Sequence, residues 1–227
     1  MSTTGFHHLA VSTRDMRAQL DFFTEVVGMP LVALFDMHGV EGAVHAFLQL
    51  DEAGRCLSFT QVPGNEDVGS QIGVTHAGTG AGNSAPGTMQ HLAFEVADRD
   101  ALLSLQDRLR SHGIVVMGPI DHGMCESIYF AGPEGLVLEA AWSEGPVDPL
   151  RWVDPTVCEK VGIRADEIER YTRPPEFLAG TERVPQPAID PDKPHLAYPQ
   201  ADYEKMVAIP DEIISRSASH PDPPVPA

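Results

Sequence analysis

The residues HHLAVSTRD at positions 7 to 15 return as QHLAFEVAD at positions 90 to 98, with His8 and His91 in matching places 83 residues apart. This repeat constrains the fold more than any other feature, because each copy opens one supersecondary unit and the second unit must be built as the first is. The alternation within each copy is that of a strand. It puts His8 with Ala10 and Ser12 on one face, and Leu9 and Val11 on the other. His91 likewise shares a face with Ala93 and Glu95, opposite Leu92, Phe94 and Val96. Both histidines therefore leave the less apolar side of their strand.

The same order of signals follows each copy. Asp15 is a capping residue, Met16, Leu20, Phe23 and Val27 carry helical spacing, and Gly28 is a stop; Asp98, then Leu102, Leu105 and Leu109, then Gly113 repeat that order. Three strand-like runs come next in each half: LVALF, AVHAFLQL and CLSFTQV, then GIVVMG, ESIYFA and GLVLEAAW. Gly54 precedes Ser58 by four residues, as Gly135 precedes Glu139. The predicted fold class is α+β, with two βαβββ modules over residues 5–63 and 87–143. A loop rich in Gly, Ser and Asn, residues 64–86, joins them, and its length marks it as functional or mobile. The C-terminal extension, 144–227, is broken by Pro174, Pro175, Pro185, Pro187, Pro191, Pro194 and Pro199, and short helices are predicted near Arg164 to Tyr171 and Asp202 to Met206. It is no third module, and is expected to wrap the modules or a partner subunit.

Composition narrows the function classes. A formal net charge of −18 with no basic cluster argues against nucleic-acid partners and anionic membrane surfaces. No run approaches the roughly 20 apolar residues of a membrane span, and MSTTGFHHLAVST lacks the basic start and apolar run of a secretory signal, so a cytoplasmic protein is expected. Cys56, Cys125 and Cys158 are odd in number and lack C-x-x-C spacing, which favours reduced, packed thiols. Small-molecule chemistry is the reading that remains.

Two βαβββ modules, each opened by a histidine, with a carboxylate four residues after a Gly turn in the last strand, resemble the vicinal oxygen chelate superfamily. That group includes glyoxalase I, fosfomycin resistance proteins, methylmalonyl-CoA epimerase and extradiol ring-cleavage dioxygenases. The resemblance covers roughly residues 5–143. It implies an open, curled mixed sheet around a metal cleft, with His8, His91 and Glu139 as a facial triad that leaves open positions on iron(II) or manganese(II). Where glyoxalase I supplies a further ligand, the repeat register places Ser58, a poor one.

The segment from His122 to Glu139 resembles the local signature of extradiol dioxygenases at His122, Ile128, Tyr129, Pro133, Gly135 and Glu139, and departs from it at Gly132. The resemblance implies that His122 hydrogen-bonds a metal-bound substrate oxygen, that Tyr129 contacts the substrate, and that His76, 15 residues before His91, is the acid/base histidine. Its expected partners are a small aromatic diol and O2, and its expected assembly is a homo-oligomer, a dimer. The bland readings stand beside these: Tyr129 as a packed residue, His76 as an ordinary loop residue, and His7, whose counterpart is Gln90, as an exposed or outer residue. His38, His45 and His195 are further pocket candidates that their local spacing does not decide. Two other function classes remain. One is a glyoxalase-like lyase or epimerase with Glu95 or Gln61 as a fourth ligand, and the other is a non-catalytic binding protein of the bleomycin-resistance kind.

Overall fold

Each copy of the repeat forms a strand and then caps a helix, in the computed structural model that describes residues 3–178 and 180–225. In the first module β1 is His8–Ser12, and Asp15 Oδ1 accepts from the Ala18 amide at 3.0 Å to open α1, Met16–Asp21. Strands β2, Leu31–Asp36, β3, Val44–Gln49, and β4, Cys56–Gln61, complete it. In the second module β5 is Leu92–Glu95, and Asp98 Oδ1 accepts from the Ala101 amide at 2.8 Å to open α2, Arg99–Ser111. Strands β6, Val116–Asp121, β7, Glu126–Ala131, and β8, Val137–Trp142, follow.

The sheets are ordered β1-β4-β3-β2 and β5-β8-β7-β6, with the first pair parallel and the others antiparallel in both. The duplication therefore extends to strand order and direction. It leaves β1, which begins at His8, and β5, which follows His91, at an end of their sheets.

The first helix departs from the ordinary amphipathic helix expected to Gly28. Beyond α1 the chain widens into a π-helical stretch, Phe22–Val27, in which the Gly28 amide donates to the Phe23 carbonyl five residues back at 3.0 Å. The wider turn lets Phe22, Phe23, Val26 and Val27 all pack on the core, and Gly28 ends it at φ 99°, where a side chain would be strained. One apolar cluster joins the modules: Phe23, Leu57 and Phe59 from the first pack with Phe94, Leu102, Leu109, Ile128 and Leu138 of the second. Arg108 of α2 donates to the carbonyls of Glu25, at 2.7 Å, and Val26, at 2.8 Å, holding the two helical segments together.

A polar clamp closes the other side of this seam. Glu134, in the β7–β8 turn, receives the Thr13 hydroxyl at 2.6 Å, the Gln19 amide at 2.8 Å and the Arg14 backbone N–H at 3.0 Å. It sits at φ 57°, a conformation that costs a non-glycine residue about 1 kcal/mol and that its side-chain contacts offset. Burial pushes the carboxyl pKa up, but the hydrogen bonds from Thr13, Arg14 and Gln19 and the Arg14 guanidinium outweigh it and hold the group below its ordinary 4.5. A lowered folded value means that the clamp's contribution is complete above the ordinary glutamate range and is lost as pH falls through the folded value. Glu134→Ala leaves the buried Thr13 and Gln19 donors unpaired and is expected to cost about 2–3 kcal/mol at pH 7 by chemical denaturation. The milder Glu134→Gln should show a deficit at pH 7 that shrinks on acidification; a deficit independent of pH would contradict the clamp's ionic character.

The chain divides into two compact units, one ending at Arg173 and the other beginning at Pro174. The C-terminal extension is therefore split. Its helices α3, Pro149–Trp152, α4, Pro155–Lys160, and α5, Ala165–Thr172, belong to the unit of the modules, and the Trp152 ring lies against Gly123. The second unit contains α6, Gln200–Val207, and α7, Asp211–Ser217, with the rings of Tyr198 and Tyr203 stacked at 5.8 Å. Helices α5 and α6 are those predicted; α3, α4 and α7 are additional. No helix among the described residues is long and apolar enough to cross a membrane.

Candidate metal centre

The sheet register decides which side chains share a face. Leu138 and Ala140 of β8 are fully buried on the helix side, so Glu139 points the other way. Tyr129 of β7 and Ala93 of β5 are both its register partners, which places Tyr129 and the histidine preceding β5 on the face of Glu139. The His91 Nε2 stands 2.9 Å from Glu139 Oε2, with the carboxylate buried and the ring half-buried. His122 Nε2 lies 3.0 Å from the Tyr129 hydroxyl, and the Tyr129 ring meets the His91 ring edge-on at 6.3 Å. Burial first, and then the neighbouring Glu139 charge, raise the Tyr129 pKa above its ordinary value, so the phenol stays a proton donor. Four of the predicted residues, His91, Glu139, Tyr129 and His122, thus form one chain of contacts.

The inter-module loop reaches this cluster. A Cβ built on Gly80 would stand 3.2 Å from the Tyr129 ring, so the loop backbone packs on that ring where a side chain would crowd it. Gln90, which the sequence marked only as the counterpart of His7, donates through Nε2 to the Thr79 carbonyl at 3.1 Å, and its Oε1 meets His91 Nδ1.

The His91 and Glu139 donors fit a divalent ion. Two ligands at about 2.1 Å on adjacent vertices of an octahedron are about 3.0 Å apart, close to the spacing here. His8 does not join them in the chain: its ring lies against His7, His45 and Phe47, and no group of three His, Cys, Asp or Glu side chains among the described residues can hold a metal. His8 is exposed on β1, at the end of the first sheet. Around it the first module presents an aromatic wall, in which Phe35 and Phe47 stack at 6.0 Å and His45 packs at 4.3 Å on Phe47. Burial first, and then His8, lower the His45 pKa.

The alternative fourth ligands are occupied or remote from the pair's contacts. Ser58 is buried and donates to the Leu9 carbonyl at 3.2 Å, while Gln61 Oε1 accepts from the Met16 amide at 2.9 Å and so caps α1. Glu95 is exposed at the far end of β5. His76 lies elsewhere in the fold. Its Nδ1 is 2.9 Å from the Thr75 hydroxyl, its ring covers Gly135, and it lines a cavity of about 500 Å3 with Arg14, Asn65 and Glu134. Gly135 precedes Glu139 by four residues, about 13 Å along extended chain. His38 lies beside the Phe35 ring, and His195 beside Tyr203 in the second unit.

A duplicated βαβββ architecture with a histidine–carboxylate pair on an open sheet face defines a class of small-molecule proteins whose members include metal-dependent enzymes. The chain belongs to the Glyoxalase/Bleomycin resistance protein/Dioxygenase superfamily, whose family model matches residues 5–140. It is 26% identical over 152 residues to a lactoylglutathione lyase of Pseudomonas aeruginosa, covering 59% of this chain and 80% of that one. It is 23% identical over 204 residues to biphenyl-2,3-diol 1,2-dioxygenase 2 of Rhodococcus globerulus, covering 83% of this chain and 97% of that one. Among solved structures, a glyoxylase/bleomycin resistance protein/dioxygenase domain from Frankia sp. EAN1pec is similar at 17% identity and a TM-score of 0.49, over 63% of this chain and all of that one.

Proposed function

We propose that the protein is a metal-dependent, extradiol-type dioxygenase that opens a catechol-like ring with dioxygen, and that iron(II), or alternatively manganese(II), is held by His91 and Glu139 of one copy and His8 of a second. The observation that carries the reading is the convergence of His122, Tyr129, Glu139 and His91 on one sheet face, with His122 bonded to Tyr129 at 3.0 Å. The dioxygenase relative, matched over 83% of this chain, supports it. His8 is assigned to a second copy because the chain itself supplies two ligands while His8 stands exposed on a sheet-end strand. A divalent ion supplies Lewis acidity that favours loss of a diol proton and, as iron(II), the electrons that activate dioxygen.

The chain's residues do the rest. His122 donates an Nε2–H to a substrate oxygen and holds the proton that the ring-opened product needs, the role assigned to it rather than to His76 because it stands on the site face. Tyr129 orients a second oxygen through its retained hydroxyl. Phe35 and Phe47 of the second copy's first module offer a stacked apolar wall to a planar ring. The Gly80 backbone covers Tyr129 and restricts water on that side.

The lactoylglutathione lyase relative favours a second reading, a glyoxalase-like lyase in which His91 and Glu139 hold a metal that stabilises an enediolate. Oxygen separates the two. Protein loaded anaerobically with iron(II) and given a panel of catechols is expected to consume one O2 per yellow ring-opened product. Absence of oxygen uptake across the panel, with turnover of a hemithioacetal under nickel or zinc, would establish the lyase reading instead.

A further inference from the structure

The residue before each repeat histidine contacts that histidine's Nδ1. Gln90 Oε1 meets His91 Nδ1, and His7 Nδ1 lies 2.9 Å from His8 Nδ1. The contact recurs although the residue has changed from His to Gln. In the second module its direction is fixed. Gln90 Nε2 donates to the carbonyls of Thr79, at 3.1 Å, and Gly82, at 3.5 Å, so turning the amide over would aim its oxygen at two other acceptors. Oε1 must then accept, and His91 Nδ1 must carry the proton. His91 Nε2 is left with a lone pair facing the Glu139 carboxylate at 2.9 Å, two acceptors that only a shared proton or a cation can bring together.

We infer that Gln90 is a positioning residue: its amide, clamped by the inter-module loop, locks His91 in the Nδ1–H tautomer and so presents Nε2, together with Glu139, to a metal ion. The inference rests on the metal centre proposed above and adds the device that prepares it. Outer hydrogen bonds of this kind fix the ring orientation of a ligand histidine, and their loss typically weakens metal affinity 10–100-fold. The loop enters through the same residue. Thr79 and Gly82 hold the Gln90 amide while Gly80 lies on Tyr129, so one loop segment supports both the ligand and its neighbour.

Two readouts on the full-length protein test this. In the metal-stripped protein, 15N shifts of the His91 ring are expected to report a protonated Nδ1 in the wild type and mixed tautomers in Gln90→Ala. In Mn(II) titrations followed by the EPR signal of the free ion, Gln90→Ala is expected to raise Kd by about 10–100-fold. Gln90→Glu keeps an acceptor for the Nδ1–H but loses the donors to the loop carbonyls, and is expected to keep the Nδ1–H tautomer with a Kd between those of the wild type and Gln90→Ala. Wild-type binding with equal Kd in Gln90→Ala would overturn the inference, as would mixed tautomers of the His91 ring in the wild type. A wild type that takes up no Mn(II) overturns the metal centre itself, and the ring shifts then still decide whether Gln90 sets the tautomer.

Discussion

Mixing His8→Ala with His91→Ala is expected to restore activity that neither variant has alone. If each centre takes His8 from one copy and His91 with Glu139 from the other, every centre of either pure variant lacks a ligand. After subunit exchange about half of the dimers are mixed, and each has one intact centre and one that lacks both histidines, so about a quarter of wild-type turnover and metal capacity returns. A centre assembled within one chain gives no such recovery, because each chain keeps its own defect. The control is His91→Ala mixed with Glu139→Ala. Both residues come from the same module, 2.9 Å apart, so every centre of the mixed dimer stays defective and the mixture remains inactive. Recovery in the first mixture and not in the second would fix the origin of all three ligands. Failure of both, or a monomer by sedimentation, would exclude the supply of His8 by a second copy.

How far the sequence discloses this arrangement depends on the range of each interaction. Periodicity and caps are local, so the repeat predicted both modules, the paired caps Asp15 and Asp98, and the strands down to the faces of His91 and Glu139. The His122 to Glu139 segment was read from its resemblance to a family signature, and its residues lie on or beside neighbouring strands of one hairpin, where register follows from the turn. Strand alternation fixes a face within a sheet but says nothing about which two sheets meet, so His8 was grouped with His91 and Glu139 although the chain holds it apart. His76 illustrates the same limit for a loop, whose sequence position leaves the ring direction open. Glu134 was invisible for another reason: its partners Thr13, Arg14 and Gln19 are 115 to 121 residues away. Two signals were present and unused. Asp148-Pro149 and Asp154-Pro155 are each a cap followed by proline at the first helical position, and they open α3 and α4. Gln90 was legible as well, since the repeat aligns it with His7 beside a candidate ligand.

Phe23→Ala is expected to be the most destabilising single substitution, at about 3–5 kcal/mol, against a total that for a domain of this kind is about 5–15 kcal/mol. The side chain is fully buried, with ring centroids 5.1 Å from Phe22, 5.2 Å from Phe59 and 6.3 Å from Phe94. Phe59 belongs to the first sheet and Phe94 to the second, so truncation opens a cavity where the cores of the two modules meet. It also lies in the π-helical stretch whose carbonyls Arg108 holds, and relaxation of that stretch to fill the space would cost those hydrogen bonds. The consequence is cooperative. Because one apolar cluster serves both modules, denaturant should unfold the variant in a single transition, at a lower midpoint and with an unchanged slope. Fluorescence of Trp142 in the second module, read in a Trp152→Phe background so that it is the single tryptophan, reports that transition although the substitution is in the first. If the modules held separate cores, the first would unfold early and the Trp142 signal would stay at its wild-type midpoint. Since the proposed centre draws His8 from one module type and His91 with Glu139 from the other, a seam that loosens also displaces the two sheet ends relative to each other. Metal uptake in Phe23→Ala should therefore fall at denaturant concentrations where the wild type still binds fully.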